Sequence, residues 1–483
     1  MPHAKLYLKI AAILIFLFVV IPGKAQNQDD RTLNAISGWL SSKELANAGI
    51  SLSVVNNSDN QVLYQTKPQI SLVPASIMKV VTTATALEVF GSDYRFKTLL
   101  SYSGTIRNDT LFGNLYIIGG GDPTLGSFYF PEAGYFQEDW IKAIQKSNIK
   151  VISGNLVVDA SIYEPQMVPG SWVWEDLGNY YGAGASGISL YDNLYEIHLK
   201  SPALPDQQTI ISKIIPEIPE LELQNEVRSS DVNSDQAYVF GNPEDSRRVM
   251  RGTIPKGKDD FVVKASMPNP PALLANEFRK KLLTNGISVS GKTIFEKAQT
   301  GSSFLYETAS PPLRDIIRVT NYESVNLFAE HLLKHLAWQK TGLGATKEGC
   351  KFIIAFWKDK GLDMSGFFAN DGSGLSRFNA MTANHLTSIL SYMATKSKNS
   401  DIFYQSLPAA GEGTLSIFST ENFPNGSFRA KSGSMTRVRC YAGYLKSTSG
   451  KRLSFTVMLN NFSCTQTVAV RKIQELLMIL RTQ

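Results

Sequence analysis

Apolar and polar positions change their period several times along the chain, and each change marks an element. Residues 32–46 carry helical spacing. Ile50–Val55 and Gln61–Gln65 are strand-like, and Asn56-Asn57-Ser58-Asp59-Asn60 between them is turn chemistry, which predicts a hairpin. An apolar run beginning at Ser76 predicts a helix to about Phe90, stopped by Gly91. From about Tyr94 to Ala265 short strands alternate with Gly, Pro and Asn turns: Phe96–Tyr102, Thr110–Ile118, Asn155–Asp159, Leu194–Leu199, Gln208–Ile211 and Ala237–Phe240. Only about Glu138–Ser147 is helical there. After Pro270-Pro271 helical spacing returns over Ala272–Thr284, Leu313–Gln339, Lys347–Lys360 and Thr382–Lys396. Cys440–Lys446 and Arg452–Asn460 predict a second hairpin, and about Thr467–Arg481 a last helix.

Strands at both ends with helices between predict an α+β chain: an antiparallel sheet flanked by helices, with a large, mostly β insert. At 483 residues the chain exceeds one ordinary core. The expected division is 26–93 with 266–483 as one domain, and 94–265 as the insert, with two subdomains in it.

The first 25 residues read as an export signal. Lys5 and Lys9 precede or flank the apolar run Ile10–Ile21, and Pro22-Gly23-Lys24-Ala25 supplies small residues before Gln26. The run is shorter than the roughly 20 residues a spanning helix needs. The expectation is a protein cleaved after Ala25 and exported to the periplasm or an equivalent extracytoplasmic space, at most loosely held at a membrane.

The formal charge of +6 includes three lysines of that segment, so the remainder carries +3. No basic stripe is interleaved with aromatics, which argues against a nucleic-acid partner. Three cysteines, Cys350, Cys440 and Cys464, cannot form a full disulfide framework. In the predicted hairpin Cys440 falls nearer Leu459 than Cys464, and buried free thiols are the simpler reading. Gly119-Gly120-Gly121-Asp122-Pro123 lacks the Lys-Ser/Thr ending of a phosphate loop and reads as a turn. His331 and His335 have zinc-ligand spacing without a glutamate after the first or an evident third ligand, so they read as a polar helix face.

The chemistry concentrates elsewhere. Ser76 and Lys79 are one turn apart at the start of an apolar helix. A serine hydroxyl needs a neighbour to take its proton, and a lysine at i+3 on the same face can reach it. Burial would lower the lysine pKa into the working range of a base. Two further motifs follow: Ser324-Val325-Asn326 begins 248 positions later, and Lys431-Ser432-Gly433 begins 107 positions after that. The trio, in this order, resembles the serine penicillin-recognising enzymes, the penicillin-binding proteins and class A β-lactamases. The long first interval narrows the likeness to the D-alanyl-D-alanine carboxypeptidase/endopeptidase family of low-molecular-mass penicillin-binding proteins, which carry a large insert there. Asp371-Gly372-Ser373-Gly374-Leu375-Ser376-Arg377 also matches a block of that family. Ser432 stands where the family usually has Thr, and keeps the hydroxyl.

The resemblance implies a serine β-lactamase/penicillin-binding-protein-like catalytic domain. It also implies hydrolysis of peptidoglycan stem peptides or cross-links through an acyl-enzyme, with covalent binding of β-lactam antibiotics. In that reading Ser76 is the nucleophile and Lys79 its base. Ser324 relays a proton to the leaving amine, and Asn326 holds Lys79 and the substrate amide. Lys431 and Ser432 bind the terminal carboxylate, and Gly433 permits close approach of its strand. The backbone N–H groups of Ser76 and Ser434 form the oxyanion hole. Arg377 and Met435 line the site. No metal or organic cofactor is needed. From the residues themselves, Trp172-Val173-Trp174-Glu175-Asp176 with Tyr180-Tyr181 forms either core packing in the insert or a pocket wall, with Asp176 as the carboxylate for a cationic group. A serine β-lactamase and a non-catalytic wall-binding protein are the alternative readings.

Overall fold

The computed structural model describes residues 25–243 and 245–482. The expected export signal therefore lies outside the described residues. The first described helix, Ala25–Leu40, starts seven residues before the expected one, and a short turn Lys43–Leu45 follows it.

The two predicted hairpins join into one sheet. Its order is Phe428–Met435, Val438–Lys446, Arg452–Asn460, Gly49–Asn56 and Val62–Thr66, antiparallel throughout. The first and last parts of the chain thus meet at the pair Leu52–Val457. One apolar cluster lies between sheet and terminal helices, with Trp39, Leu52, Phe455, Ile473 and Leu477 buried in it. A second holds the helix Met78–Phe90 against Asn326–Thr341, Thr346–Asp359 and Ala383–Thr395, with Val81, Leu87, Phe328, Leu332, Trp357 and Leu386 at its centre. The helix Met78–Phe90 is buried along nearly its whole first three turns, which is why its sequence shows no polar stripe.

The predicted helix Leu313–Gln339 is two helices, Leu313–Tyr322 and Asn326–Thr341. Ser324 between them adopts a φ of +61°, a left-handed conformation that an α-helix cannot pass through. Apolar periodicity continues across the break because both helices pack on the same core, so the sequence alone hides it.

The insert carries four small sheets. Thr110–Ile118 divides into Thr110–Phe112 and Leu115–Ile118, separated by Gly113-Asn114. Arg247–Pro255 and Lys258–Ser266, whose charged residues mask any alternation, are additional strands. Residues 270–309 were expected beside the catalytic helices. Instead Thr293–Phe295 and Ser303–Ala309 are the two edges of a sheet made otherwise from Lys97–Tyr102, Leu115–Ile118 and Leu156–Asp159. The helix Pro270–Thr284 places Leu274 and Phe278 in the insert's apolar cluster with Leu100, Trp140 and Val158. The same cluster includes Ile197 and Val239 from the remaining insert sheets.

His331 and His335 do not form an exposed polar face. Both are buried on Asn326–Thr341, and burial lowers each imidazole to about 3. His331 meets Ser189 Oγ at 2.8 Å and the Gly121 carbonyl at 2.9 Å, and His335 meets the Tyr94 hydroxyl at 2.6 Å. The Gly119–Gly121 turn thus docks the insert on this helix. Cys440 pairs across the hairpin with Met458. Among the described residues no helix is long and apolar enough to cross a membrane.

Candidate active site

Ser76 lies in a 3₁₀ turn, Ala75–Ile77, that runs directly into Met78–Phe90. Ala75 holds a φ of +49°, a costly conformation for a residue with a β-carbon, so the packing around the turn must impose it. Lys79 follows on the same face. Its Nζ reaches Ser76 Oγ at 3.0 Å and donates to Asn326 Oδ1 at 2.5 Å and to the Ser373 carbonyl at 2.8 Å. Lys79 has no solvent exposure. Burial lowers its amine from 10.5 to about 7, against the opposing pull of Asp371 and Glu330. A substantial neutral fraction at neutral pH is what a base for a serine hydroxyl requires.

The break at Ser324 delivers the second motif. It starts a fresh helix at Asn326 and turns Ser324 and Asn326 into the same cleft as Ser76. Asn326 is held from both ends: its Oδ1 accepts from Lys79, and its Nδ2 donates to the Tyr181 carbonyl at 2.7 Å. Ser324 lines the cleft together with Ser76.

Lys431, Ser432 and Gly433 sit in the middle of the strand Phe428–Met435. Lys431 is fully buried, and its Nζ donates to the Ser432 carbonyl at 2.9 Å. Burial, then Lys79 and Arg439, push its amine well below the usual lysine range. Gly433 faces the nucleophile turn so closely that a β-carbon would lie 2.5 Å from the Pro74 carbonyl and 3.2 Å from Ser76 N. Ser434 and Met435 follow into the cleft wall.

The cleft has a volume of about 390 Å³. Besides Ser76, Ser324, Asn326, Ser434 and Met435 it is lined by Arg377 and by five insert residues, Glu175, Asp176, Tyr180, Tyr181 and Tyr238. Thus the Trp172–Tyr181 stretch divides: Asp176 faces the cleft, while Trp172 is buried. Half-burial raises the Asp176 carboxyl, against the opposing influence of the Tyr181 hydroxyl and Arg377. A larger cavity of about 670 Å³, lined by Tyr404, Arg452 and Asp401 among others, contains none of the motif residues. Volume alone would choose it; the chemistry chooses the cleft at Ser76.

Two buried acids were not singled out from the sequence. Glu330 is one helical turn beyond Asn326 and accepts the N–H groups of Gly372 at 3.0 Å and Ser373 at 2.7 Å. Burial and the neighbouring Asp371 raise its carboxyl above the usual carboxylate range. Asp371 accepts from Gly374 N at 2.8 Å, Ser376 N at 2.6 Å, Asn379 Nδ2 at 2.6 Å and Trp172 Nε1 at 2.9 Å. Together they shape the Asp371–Arg377 block, so that Ser373 offers its carbonyl to Lys79 and Arg377 reaches the cleft. The sequence signals for this arrangement were the Asp371–Arg377 block itself and the i, i+4 spacing of Asn326 and Glu330. Among the described residues no cluster of His, Cys, Asp and Glu is arranged to hold a metal.

Comparison with known proteins agrees with this geometry. Residues 33–483 match the D-Ala-D-Ala carboxypeptidase 3 (S13) family model. The chain is 25% identical over 423 residues to D-alanyl-D-alanine carboxypeptidase DacB of Haemophilus influenzae, covering 84% of each chain. It is 26% identical over 454 residues to a D-alanyl-D-alanine carboxypeptidase of Actinomadura sp., covering 90% of this chain and 82% of that one. The crystal structure of penicillin binding protein 4 from Haemophilus influenzae shares the fold, with a TM-score of 0.80 at 23% identity over 92% of this chain and 98% of that one. The same relative has been solved in complex with a β-lactam, with a TM-score of 0.75. With the match running from residue 33 to the C-terminus, over the serine–lysine pair and both later motifs, the chain belongs to the D-Ala-D-Ala carboxypeptidase 3 (S13) family.

Proposed function

We infer that the protein is a serine D-Ala-D-Ala carboxypeptidase, with endopeptidase action on cross-links of the same chemistry, working outside the cytoplasm on peptidoglycan stem peptides. The observation that carries this is the fully buried Lys79 amine, lowered to about 7 and 3.0 Å from Ser76 Oγ. Lys79 in its neutral form takes the Ser76 proton as the oxygen attacks the carbonyl of the penultimate D-alanine. The N–H groups of Ser76 and Ser434 receive the oxyanion. Ser324 passes a proton to the leaving amine, the acyl-enzyme forms, and water releases it. Asn326 orients Lys79 and the substrate amide. An incoming carboxylate restores to Lys431 the charge that burial disfavours, and the Ser432 hydroxyl adds a hydrogen bond. β-Lactams acylate the same serine.

Asp176 is the group we assign to an amine-bearing side chain of the stem peptide, with Arg377 and Met435 bounding that part of the cleft. The insert reads the peptide side chain, while the three motifs perform the reaction. On packing grounds we place the insert at 94–309, since residues 270–309 complete its sheets and core.

Mass spectrometry after incubation with a labelled penicillin tests the reading. One adduct per chain on Ser76, lost in Ser76→Ala, is expected. An adduct mapped to Ser324 or Ser432 overturns the assignment. N-terminal sequencing of the mature protein from its native compartment is expected to begin near Gln26, and an intact Met1 in a cytosolic fraction overturns export.

A further inference from the structure

The insert loop that carries Asp176 also holds the base. Tyr181 connects the two functions. Its side chain lies beside Asp176 on the cleft wall, where the two groups shift one another's ionisation, and its backbone carbonyl accepts from Asn326 Nδ2 at 2.7 Å. That contact orients the Asn326 amide, because an amide whose nitrogen is committed to Tyr181 must present oxygen to Lys79, as it does at 2.5 Å. A second arm leaves the same loop at Trp172, whose buried indole N–H donates to Asp371 Oδ2 at 2.9 Å. Asp371 in turn organises the turn whose Ser373 carbonyl accepts from Lys79. Residues 172–181 therefore reach both fixed acceptors that position the Lys79 amine beside Ser76, Asn326 directly and the Ser373 carbonyl through Asp371, which Glu330 helps to hold in place.

We propose that Trp172 and the Tyr181 carbonyl are positioning elements for Lys79, so that an amine bound at Asp176 speeds acylation of Ser76 instead of only tightening binding. This rests on the carboxypeptidase reading and deepens it. The chemistry follows from the order of contacts. A cationic amine arriving at the Asp176 carboxylate fixes that side chain and its Tyr181 partner. A fixed Tyr181 holds its carbonyl on Asn326, which narrows the range of Lys79 positions. Small displacements of a reacting group cost up to about a hundredfold in rate, so limiting them appears in the rate constant. Selectivity of this kind would be realised in the transition state and not in the ground state.

The unmutated protein supplies the first test. Single-turnover acylation is measured with a stem peptide ending in D-Ala-D-Ala whose side-chain amine is free, and with the same peptide acetylated on that amine. The expected result is a saturating acylation rate constant at least about tenfold lower for the acetylated peptide. A difference confined to the binding constant, with equal saturating rates, overturns the proposal. Two substitutions test the arms. Trp172→Phe keeps a ring in the buried site and removes the donor to Asp371. Gly182→Ala must displace the peptide that carries the Tyr181 carbonyl, because its β-carbon would lie 2.1 Å from the Asp176 backbone oxygen. Each is expected to slow the penicillin acylation step by about tenfold with the binding constant unchanged. Trp174→Ala, on the same loop but exposed, with its ring tilted against Phe240, is expected to leave that step within about twofold. Normal acylation in both Trp172→Phe and Gly182→Ala, or an equal loss in Trp174→Ala, overturns the positioning role. Absence of any Ser76 adduct in the unmutated protein would refute the carboxypeptidase reading itself, a result distinct from all of these.

Discussion

Gly433 and Ser76 are in backbone contact: a β-carbon at 433 would stand 3.2 Å from the Ser76 nitrogen and 2.5 Å from the carbonyl of Pro74. The third motif therefore sets the position of the nucleophile turn as well as the far wall of the site. Because the clashing atoms are backbone, no side-chain rotation relieves them. Gly433→Ala is expected to push strand and turn apart and slow penicillin acylation by about a hundredfold. Stopped-flow or gel-based acylation rates check this, and a near-normal rate would mean the turn tolerates the shift.

Lys79 should set the pH dependence of acylation. With its amine at about 7, the neutral, basic form is scarce below that pH and dominant above it. The acylation rate constant is expected to rise about tenfold per pH unit below 7 and to level off above it. Lys79→Ala should slow the step by ~10²–10⁴-fold while leaving the fold intact by circular dichroism. A rate that falls as pH increases through 7 would require a different base.

Lys431 is buried and its charge is disfavoured until an anion arrives. Lys431→Ala is expected to weaken reaction with both a D-Ala-D-Ala peptide and penicillin. A peptide amidated at its terminal carboxyl already lacks the contact, so the substitution should cost it much less. Steady-state kinetics on the acid and the amide decide the matter, and equal losses would exclude a carboxylate-reading role.

Asp176 faces the cleft from the insert, beside Arg377 and Tyr181. Asp176→Asn is expected to lower kcat/KM for a stem peptide with a free side-chain amine by roughly ten- to a hundredfold, the worth of a charge-assisted hydrogen bond of about 1.5–3 kcal/mol. Asparagine keeps the size and shape of the side chain and penicillin brings no such amine, so penicillin acylation should stay close to normal. Loss of both activities, or of neither, would make the residue structural.

Local spacing was enough to place Lys79 beside Ser76, because i and i+3 share a helix face whatever surrounds them. Both terminal hairpins, the helix Met78–Phe90 and the mostly β character of the insert were legible for the same reason: strand alternation, turn residues and apolar runs act over a few positions. The other decisive features depend on partners far along the chain. The break at Ser324 is invisible to periodicity, since the helices on either side bury the same apolar face. Thr293–Phe295 and Ser303–Ala309 pair with Leu156–Asp159 and Lys97–Tyr102 at the two edges of one sheet, and edge pairing leaves no mark in a single strand's sequence. Glu330 was an unremarkable acid, and Asp371 only the first residue of a matching block, until burial and converging backbone N–H groups placed them behind Lys79. The link from Trp172 to Asp371 spans 199 positions. Sequence by itself determined which residue types could perform the reaction. Tertiary structure decided which of them meet and at what pKa, because burial and long-range hydrogen bonding exist only once the chain has closed on itself.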